Sequence, residues 1–445
     1  MATFQEQYQA KLTTPDEAVK VVKDGDWIYY GEFVTITPVL DAALARRKNE
    51  LHDIHVETCT LKLNTAIYQA DPDREVFDID DRSLTAQSRR QSAYHIPGTY
   101  EEFGRLAEIR KINVAFIATC PMDEHGFFNT STTCSYIPSV LESADYVIIE
   151  ENEAFPHVYG GDFTAIHISQ VHAIVKGNGQ PLESLPKGPA SDVDTKIAEN
   201  VMKELEDGCC LQLGIGGIPD KIGEAIVNSD IKDLGVHTEM MMDSFMSLYK
   251  AGKVTNRCKQ INKGKMVFTF AMGSTALYEF LDKNENCLKF PASYTNDPFV
   301  IMQNDKVFGV NNCLHIDLYT QVSSESVGPK QISGVGGQWD FIYGAFRSKG
   351  GKGFVCMNST ATRKDKDGNM KVESRIVPSF APGTNITLAR FFTFYVATEY
   401  GCTNMKGLST WQRAEEIIKL AHPDFRDGLI KDAEKFGIWR PSNKR

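Results

Sequence analysis

The sequence has no long apolar run, no closely paired cysteine motif and no surplus of positive charge, and each absence removes a class of protein. No stretch approaches the ~20 apolar residues that a membrane-spanning helix needs. The opening MATFQEQYQAKLTTPDEAVK is polar where a secretory leader would be apolar. With 48 Lys and Arg against 58 Asp and Glu the net charge is -10, so no overall field favours a phosphate backbone, and nucleic acid is set aside as a partner. The ten cysteines are scattered: Cys59, Cys120, Cys134, the neighbours Cys209 and Cys210, Cys258, Cys287, Cys313, Cys356 and Cys402. None forms CxxC, and most lie in apolar runs such as VAFIATC, which suits core filling in a reducing compartment. The expectation is a cytoplasmic protein with no membrane association and no metal.

What is present fits a globular chain of two domains. At 445 residues, with 42% hydrophobic and 24% charged residues, one core is too few and two of roughly 200 residues each is natural. The Gly-, Pro- and Ser-rich stretch 177–192 reads as a linker, giving domains 1–190 and 191–445. The halves resemble each other. DGDWIYYG (24–31) corresponds to DGCCLQLG (207–214), and DIHVET (53–58) to GVHTEM (235–240). VAFIATCPMDEHGFFNTS (114–131) corresponds to VFGVNNCLHIDLYTQVSS (307–324). Three matches in one order indicate a duplicated unit. Helical runs such as ITPVLDAALARR (36–47), IGEAIVNS (222–229) and WQRAEEIIKLA (411–421) alternate with apolar strands DYVIIEE (145–151), MVFTFAMG (266–273) and FVCMNS (354–359). The fold class expected is α/β, as two tandem, duplicated open α/β domains with ligand sites at the carboxyl ends of strands.

Four places could carry chemistry. LQLGIGGIPDKIGEAI (211–226) runs from a strand through Gly214, Gly216 and Gly217 into a helix led by Pro219. Such a loop lets backbone N–H groups approach a ligand, and a tight structural turn is the alternative. Pro219 stands where a dinucleotide fingerprint needs its third glycine, so that reading is the weaker one. In GVHTEMMMDSFMSLYKAG (235–252), Val236 to Met240 reads as a short strand ending near Glu239, a carboxylate able to attack a thioester; a solvated or ion-paired glutamate is the alternative. His237 shares its strand face. In KFPASYTNDPFV (289–300), Asn296 is an oxyanion donor or simple turn chemistry. SGVGGQWDF (333–341) is a second glycine-dense loop, and two such loops suit a long phosphate-bearing ligand.

These elements, together with PMDEHGFFN (121–129), VATEYG (396–401), AHPDFR (421–426) and the tail IWRPSNKR (438–445), resemble the acetyl-CoA hydrolase/transferase-like class I CoA-transferases. The likeness is to their butyryl-CoA:acetate and 4-hydroxybutyrate members, and it runs nearly end to end. The resemblance implies that Glu239 carries the acyl anhydride and then the glutamyl-CoA thioester, with Asn296 as an oxyanion donor. Coenzyme A, the co-substrate, would contact Gly216, Gly217, Ile218, Pro219, Asp220, Leu314, Ser333 and Gly337. No tightly bound cofactor is implied. The other partners are short-chain carboxylates and further copies of the chain, in a homodimer or larger assembly. A hydrolase on the same scaffold and a non-catalytic CoA-sensing subunit are the rival readings. Two departures stand out: Thr320 where relatives usually carry glycine, and His315 where several have a more neutral residue. Residues 59–95, with Phe33 and Phe127, are expected to line the acyl end with Leu61, Leu63, Ile67 and Tyr68, which suits short straight chains.

Overall fold

The computed structural model describes residues 2–185, 191–364 and 367–439. The middle of the expected linker (186–190) and the end of the tail (440–445) lie outside the described residues. The chain forms two compact units. Unit 1 comprises Met1–Pro186, Thr238–Asp243 and Lys265–Asp297, and unit 2 the remaining segments, Lys187–His237, Ser244–Gly264 and Pro298–Arg445. Two segments from beyond residue 191, the ones bearing Glu239 and Asn296, thus pack with the N-terminal portion.

Unit 1 is built on β1 (Trp27–Glu32), β2 (Ile54–Cys59), β3 (Phe77–Asp81), β4 (Tyr94–His95), β5 (Val114–Thr119), β6 (Tyr146–Glu151) and β7 (Ala173–Lys176). They lie in the order β7-β6-β5-β1-β2-β3-β4, all parallel, and Thr35–Ile36 folds back antiparallel onto β1. Alternate residues Ile28 and Tyr30, Ile54 and Val56, and Val114 and Phe116 join Leu40, Ala43 and Leu44 of helix α1 (Pro38–Ala45) in one buried cluster. Covering both faces of the sheet is what the near-continuous apolar strands require.

Unit 2 contains β8 (Cys210–Leu213), β9 (Gly235–Val236), β10 (Val307–Asn312), β11 (Lys352–Cys356), β12 (Tyr395–Thr398) and β13 (Gly401–Asn404). Their order is β9-β8-β10-β11-β12-β13, parallel except for the last pair. The duplication is visible in this topology. In unit 1, β1 is flanked by β2 and β5; in unit 2, β8 is flanked by β9 and β10. These six strands are the three matched segments of the sequence. Both domains are open α/β sheets, and no helix among the described residues is long and apolar enough to cross a membrane.

Two expected elements differ. MVFTFAMG is not one strand of a main sheet but two short ones, Met266–Phe268 and Phe270–Ala271, broken at Thr269. The Thr269 carbonyl accepts from the N–H groups of Cys134 and Ser135, while its own N–H turns to the Glu239 carbonyl. The helix of the first glycine loop, α2 (Gly217–Val227), begins two residues before Pro219. Gly216 caps it at φ 123°, a conformation only glycine adopts readily.

Candidate active site

Glu239 does not lie inside a strand. The expected run from Val236 to Met240 is interrupted at Thr238 and Glu239, between β9 and the pair Met240–Met241. That pair lies parallel to Phe270–Ala271. The N–H groups of Thr269 (3.0 Å) and Phe270 (3.3 Å) both donate to the Glu239 carbonyl, which pins its backbone at the Thr269 break. The side chain is partly exposed, and its Oε2 accepts from the Asn296 amide Nδ2 at 2.7 Å. Asn296 is fully buried. It follows the short helix Ala292–Thr295, and its own N–H donates to the Ala292 carbonyl. The two residues singled out for nucleophile and oxyanion donor are therefore hydrogen-bonded across 57 residues of sequence.

Three aromatic rings accompany this pair in unit 1. Phe33, at φ 56°, stacks on Phe270 with centroids 3.6 Å apart, and Tyr100 lies 5.9 Å from the same ring. The rest of the expected acyl lining is placed differently. Leu61 and Ile67 belong to the fully buried core against α1, with Leu63 and Tyr68 packed on it. Phe127 is 41% exposed and packs on His167. The sequence pattern of 59–95 reports core packing, which apolar residues at irregular spacing cannot distinguish from a pocket wall.

Glu57, which holds the place of Glu239 in the first repeat, has another fate. It lies within β2, and Arg82 grips its Oε1 through Nε at 2.8 Å and Nη2 at 2.6 Å, both side chains being fully buried. The guanidinium also sits over the rings of Phe103 and Tyr136. Glu57→Ala would strand the Arg82 charge in the core. It is expected to destabilise the protein by about 3–5 kcal/mol, read from denaturant unfolding.

In unit 2 the glycine loops converge. Asn312 Nδ2 donates to the Ile215 carbonyl at 2.8 Å, tying the first loop to the end of β10. Gly217, Ile218 and Leu314 line one cavity of about 250 Å³ with Asn312, Ser324, Met357, Asn358 and Arg375. This cavity lies at the carboxyl ends of β8, β10 and β11, where an open parallel sheet offers its ligand crevice. The second loop adjoins it: Ser333 Oγ donates to the Ser324 carbonyl, and Gln338 bridges Ser324 Oγ and the Asn312 carbonyl. Gly337 caps helix α3 (Gln338–Arg347). Pro219 is buried, and Asp220 borders a different groove, of about 330 Å³, with Glu224 and Ser247.

Comparison with known proteins finds two family domains in sequence order, the second beginning within the Lys265–Asp297 segment of unit 1. The N-terminal domain model of the acetyl-CoA hydrolase/transferase family matches residues 1–186, and its C-terminal domain model matches residues 273–433. The chain belongs to the acetyl-CoA hydrolase/transferase family. It is 45% identical to the butyryl-CoA:acetate CoA-transferase of Anaerostipes caccae, over 99% of this chain and all of that one. It is 41% identical to the probable butyrate:acetyl-CoA coenzyme A-transferase of Syntrophomonas wolfei, over 99% and 98%. The crystal structure of RipA from Yersinia pestis superposes with a TM-score of 0.89 at 35% identity, covering 98% of this chain and all of that one.

The two positions set apart in the sequence, Thr320 and His315, acquire a physical reading. Thr320 adopts φ 64° in a turn closed by its N–H to the Asp317 carbonyl, a left-handed position where glycine is unstrained. Here the β-branched residue is held by Arg413, which donates to its Oγ1 at 2.7 Å. His315 is pushed down to about 4 by burial and then by the charges of Arg375 and Arg363, so its imidazole is neutral at physiological pH. Arg375 itself was not singled out by the sequence: a lone arginine in ESRIVPSF carries no motif. It is fixed by donating to the carbonyls of Leu314 and Cys313.

Proposed function

We propose that this protein transfers coenzyme A between a short-chain acyl-CoA and a carboxylate acceptor, with butyryl-CoA and acetate as the pair, by a ping-pong route through Glu239. The observation that carries the reading is the Glu239 carboxylate held by a buried amide beside the Thr269 break. A carboxylate oxygen of Glu239 attacks the thioester carbonyl, the C–S bond breaks, and the thiolate departs from an acyl-glutamyl anhydride. The thiolate then attacks the glutamyl carbonyl. The anhydride C–O bond breaks, releasing the donor acid as a carboxylate and leaving CoA on Glu239 as a thioester. The acceptor carboxylate reverses these steps, and no net proton is taken up or released.

Each addition places negative charge on a carbonyl oxygen, and the Asn296 amide is the donor for it. The loop of Gly216 to Asp220, with Leu314, Ser333 and Gly337, holds coenzyme A, its first helical N–H groups suited to an anionic group. Support comes from the two relatives, whose names pair butyryl-CoA with acetate and butyrate with acetyl-CoA. The enzyme acts in the cytoplasm as a homo-oligomer, with eight of its ten cysteines buried as free thiols.

The aromatic surroundings of Glu239 in unit 1 set the expected acceptor. Phe33, Phe270 and Tyr100 offer no cation for a second carboxylate. Of the fully buried cations of unit 1, Arg82 is already paired with Glu57 and Lys289 donates to Thr130 Oγ1 and the Ser131 carbonyl. In assays of kcat/KM, butyrate is expected to exceed succinate by roughly tenfold or more as acceptor. Its margin over 4-hydroxybutyrate should be smaller, because hydrophobic pockets discriminate weakly between near-isosteres. A preference for succinate, or thioester loss without any acceptor acid, would overturn the assignment.

A further inference from the structure

Beneath the Glu239 region lies a buried acid that the ping-pong route does not use. Glu32, at the end of β1, is fully buried and forms no ion pair among the described residues. Tyr29 donates to its Oε1 at 2.7 Å, and Ser135 Oγ lies 2.6 Å from its Oε2. Ser135 Oγ is in turn 2.8 Å from the Tyr100 hydroxyl. Ser135 is a non-glycine residue at φ 43°, held by bonds from its N–H to both the carbonyl and Oγ1 of Thr269, the residue whose N–H binds Glu239. Strained positions that the surroundings hold in place tend to serve a site. A continuous chain, Glu32–Ser135–Tyr100, thus runs from the core to the residues that fix Glu239.

The direction of such a chain is set at its buried end. When Glu32 carries a proton, its hydroxyl donates to Ser135 Oγ, Ser135 donates to the Tyr100 oxygen, and the Tyr100 proton is left for another acceptor. When Glu32 is ionised, both hydroxyls turn inward: Ser135 donates to Glu32 and Tyr100 donates to Ser135. The phenol then has no proton to offer. Building on the proposed function, we propose that Glu32 is a positioning residue whose protonated form turns the Ser135 and Tyr100 hydroxyls outward, so that the Tyr100 phenol donates to a carboxylate oxygen at Glu239.

The electrostatics agree with this geometry. Burial pushes the Glu32 carboxyl up to about 8, against the lowering effect of its bonds to Ser135 and Tyr29 and of the Arg82 charge, while Glu57 adds to the rise. Burial and then the charges of Glu32, Cys59 and Glu239 hold the Tyr100 phenol well above its ordinary value, so it keeps its proton. The other groups facing Glu32 are Tyr29, Tyr136, Cys59 and Cys134, all pushed up by burial and therefore neutral. Lys289, lowered to about 8 by burial, shares Cys134 as a neighbour and titrates in the same range, as do Lys259, also lowered to about 8 by burial, and Glu150, raised to about 7 by burial.

The test is a pH profile of acyl exchange in the full-length enzyme. Ionisation of Glu32 releases its proton to solvent, so wild-type kcat is expected to fall roughly tenfold or more between about pH 7 and about pH 9.5, as one donor is lost. In Glu32→Gln the amide donates to Ser135 but cannot ionise, and the ratio of the two rates should fall below about twofold. In Tyr100→Phe the chain has no outer donor. Its kcat near pH 7 should drop to the alkaline wild-type level and lose the same pH dependence. An alkaline fall that survives Glu32→Gln would assign it to Lys289 or another group and overturn the proposal. So would a Tyr100→Phe enzyme with wild-type kcat. Infrared titration of the wild type, following the protonated-carboxyl band that Glu32→Gln removes, reads the same ionisation without turnover. An enzyme that transfers no CoA would sink the proposed function while this band still tests Glu32. Ionisation complete by about pH 6 would sink the Glu32 proposal alone.

Discussion

Glu239→Gln is expected to lower the rate of CoA exchange by several orders of magnitude while leaving coenzyme A affinity nearly unchanged. The substitution removes the nucleophilic oxygen and keeps the shape. The carbonyl oxygen of glutamine can still accept from Asn296, whose amide lies 2.7 Å from the present carboxylate. The backbone stays tied to Thr269 and Phe270, so folding should be unaffected. What disappears is the ability to form an anhydride, and every later step depends on it. The check is twofold: steady-state exchange between an acyl-CoA and acetate, and borohydride reduction after exposure to acyl-CoA, which traps a glutamyl thioester at its residue. Label at Glu239 in the wild type and none in the variant is the expected result. Label on Glu57 would refute it, although the Arg82 clamp makes that carboxylate a poor nucleophile.

Asn296→Ala should separate oxyanion support from substrate binding. Its kcat is expected to fall roughly 10²–10³-fold with little change in KM for either substrate. Asn296 holds the Glu239 carboxylate in the free enzyme and meets the oxyanion that forms in each addition, and neither contact is to bound substrate, so the loss belongs to kcat. Asn296 is suited to this role because it is fully buried and already aimed at Glu239 Oε2 in the free enzyme, which leaves little to reorganise. An unchanged kcat would reduce the residue to a helix terminus. A raised KM at constant kcat would make it a binding group instead.

The elements visible in the sequence are those whose cause is local. The Asp-Gly turns and the apolar runs after them are β1 and β8, and the matched segments occupy equivalent places in the two sheets. The glycine loops were visible because glycine at Gly216 answers a backbone demand that can be read residue by residue. The break at Thr269 was not legible. MVFTFAMG is a good strand by composition, and what breaks it are Cys134, Ser135 and Glu239, brought in from distant sequence. The same holds for the Glu32–Ser135–Tyr100 chain: three solitary polar residues on separate elements, with no spacing to connect them. Glu57 and Glu239 illustrate the limit from the other side. Their local sequences match, yet one is neutralised by Arg82 and the other faces an amide.

The chain changes unit five times along its length, since Thr238–Asp243 and Lys265–Asp297 are part of the first unit. This has a consequence for how the protein is made. Although unit 1 begins at the N-terminus, it lacks two of its segments until the ribosome has passed Asp297, so about two-thirds of the polypeptide must be synthesised before that unit can close. Domains that are contiguous in sequence can fold one after another as they emerge. Here the N-terminal sheet has all its strands by Lys176 yet must wait for the segments that pack with it, and the last pieces the unit receives are those that bring the glutamate and the asparagine.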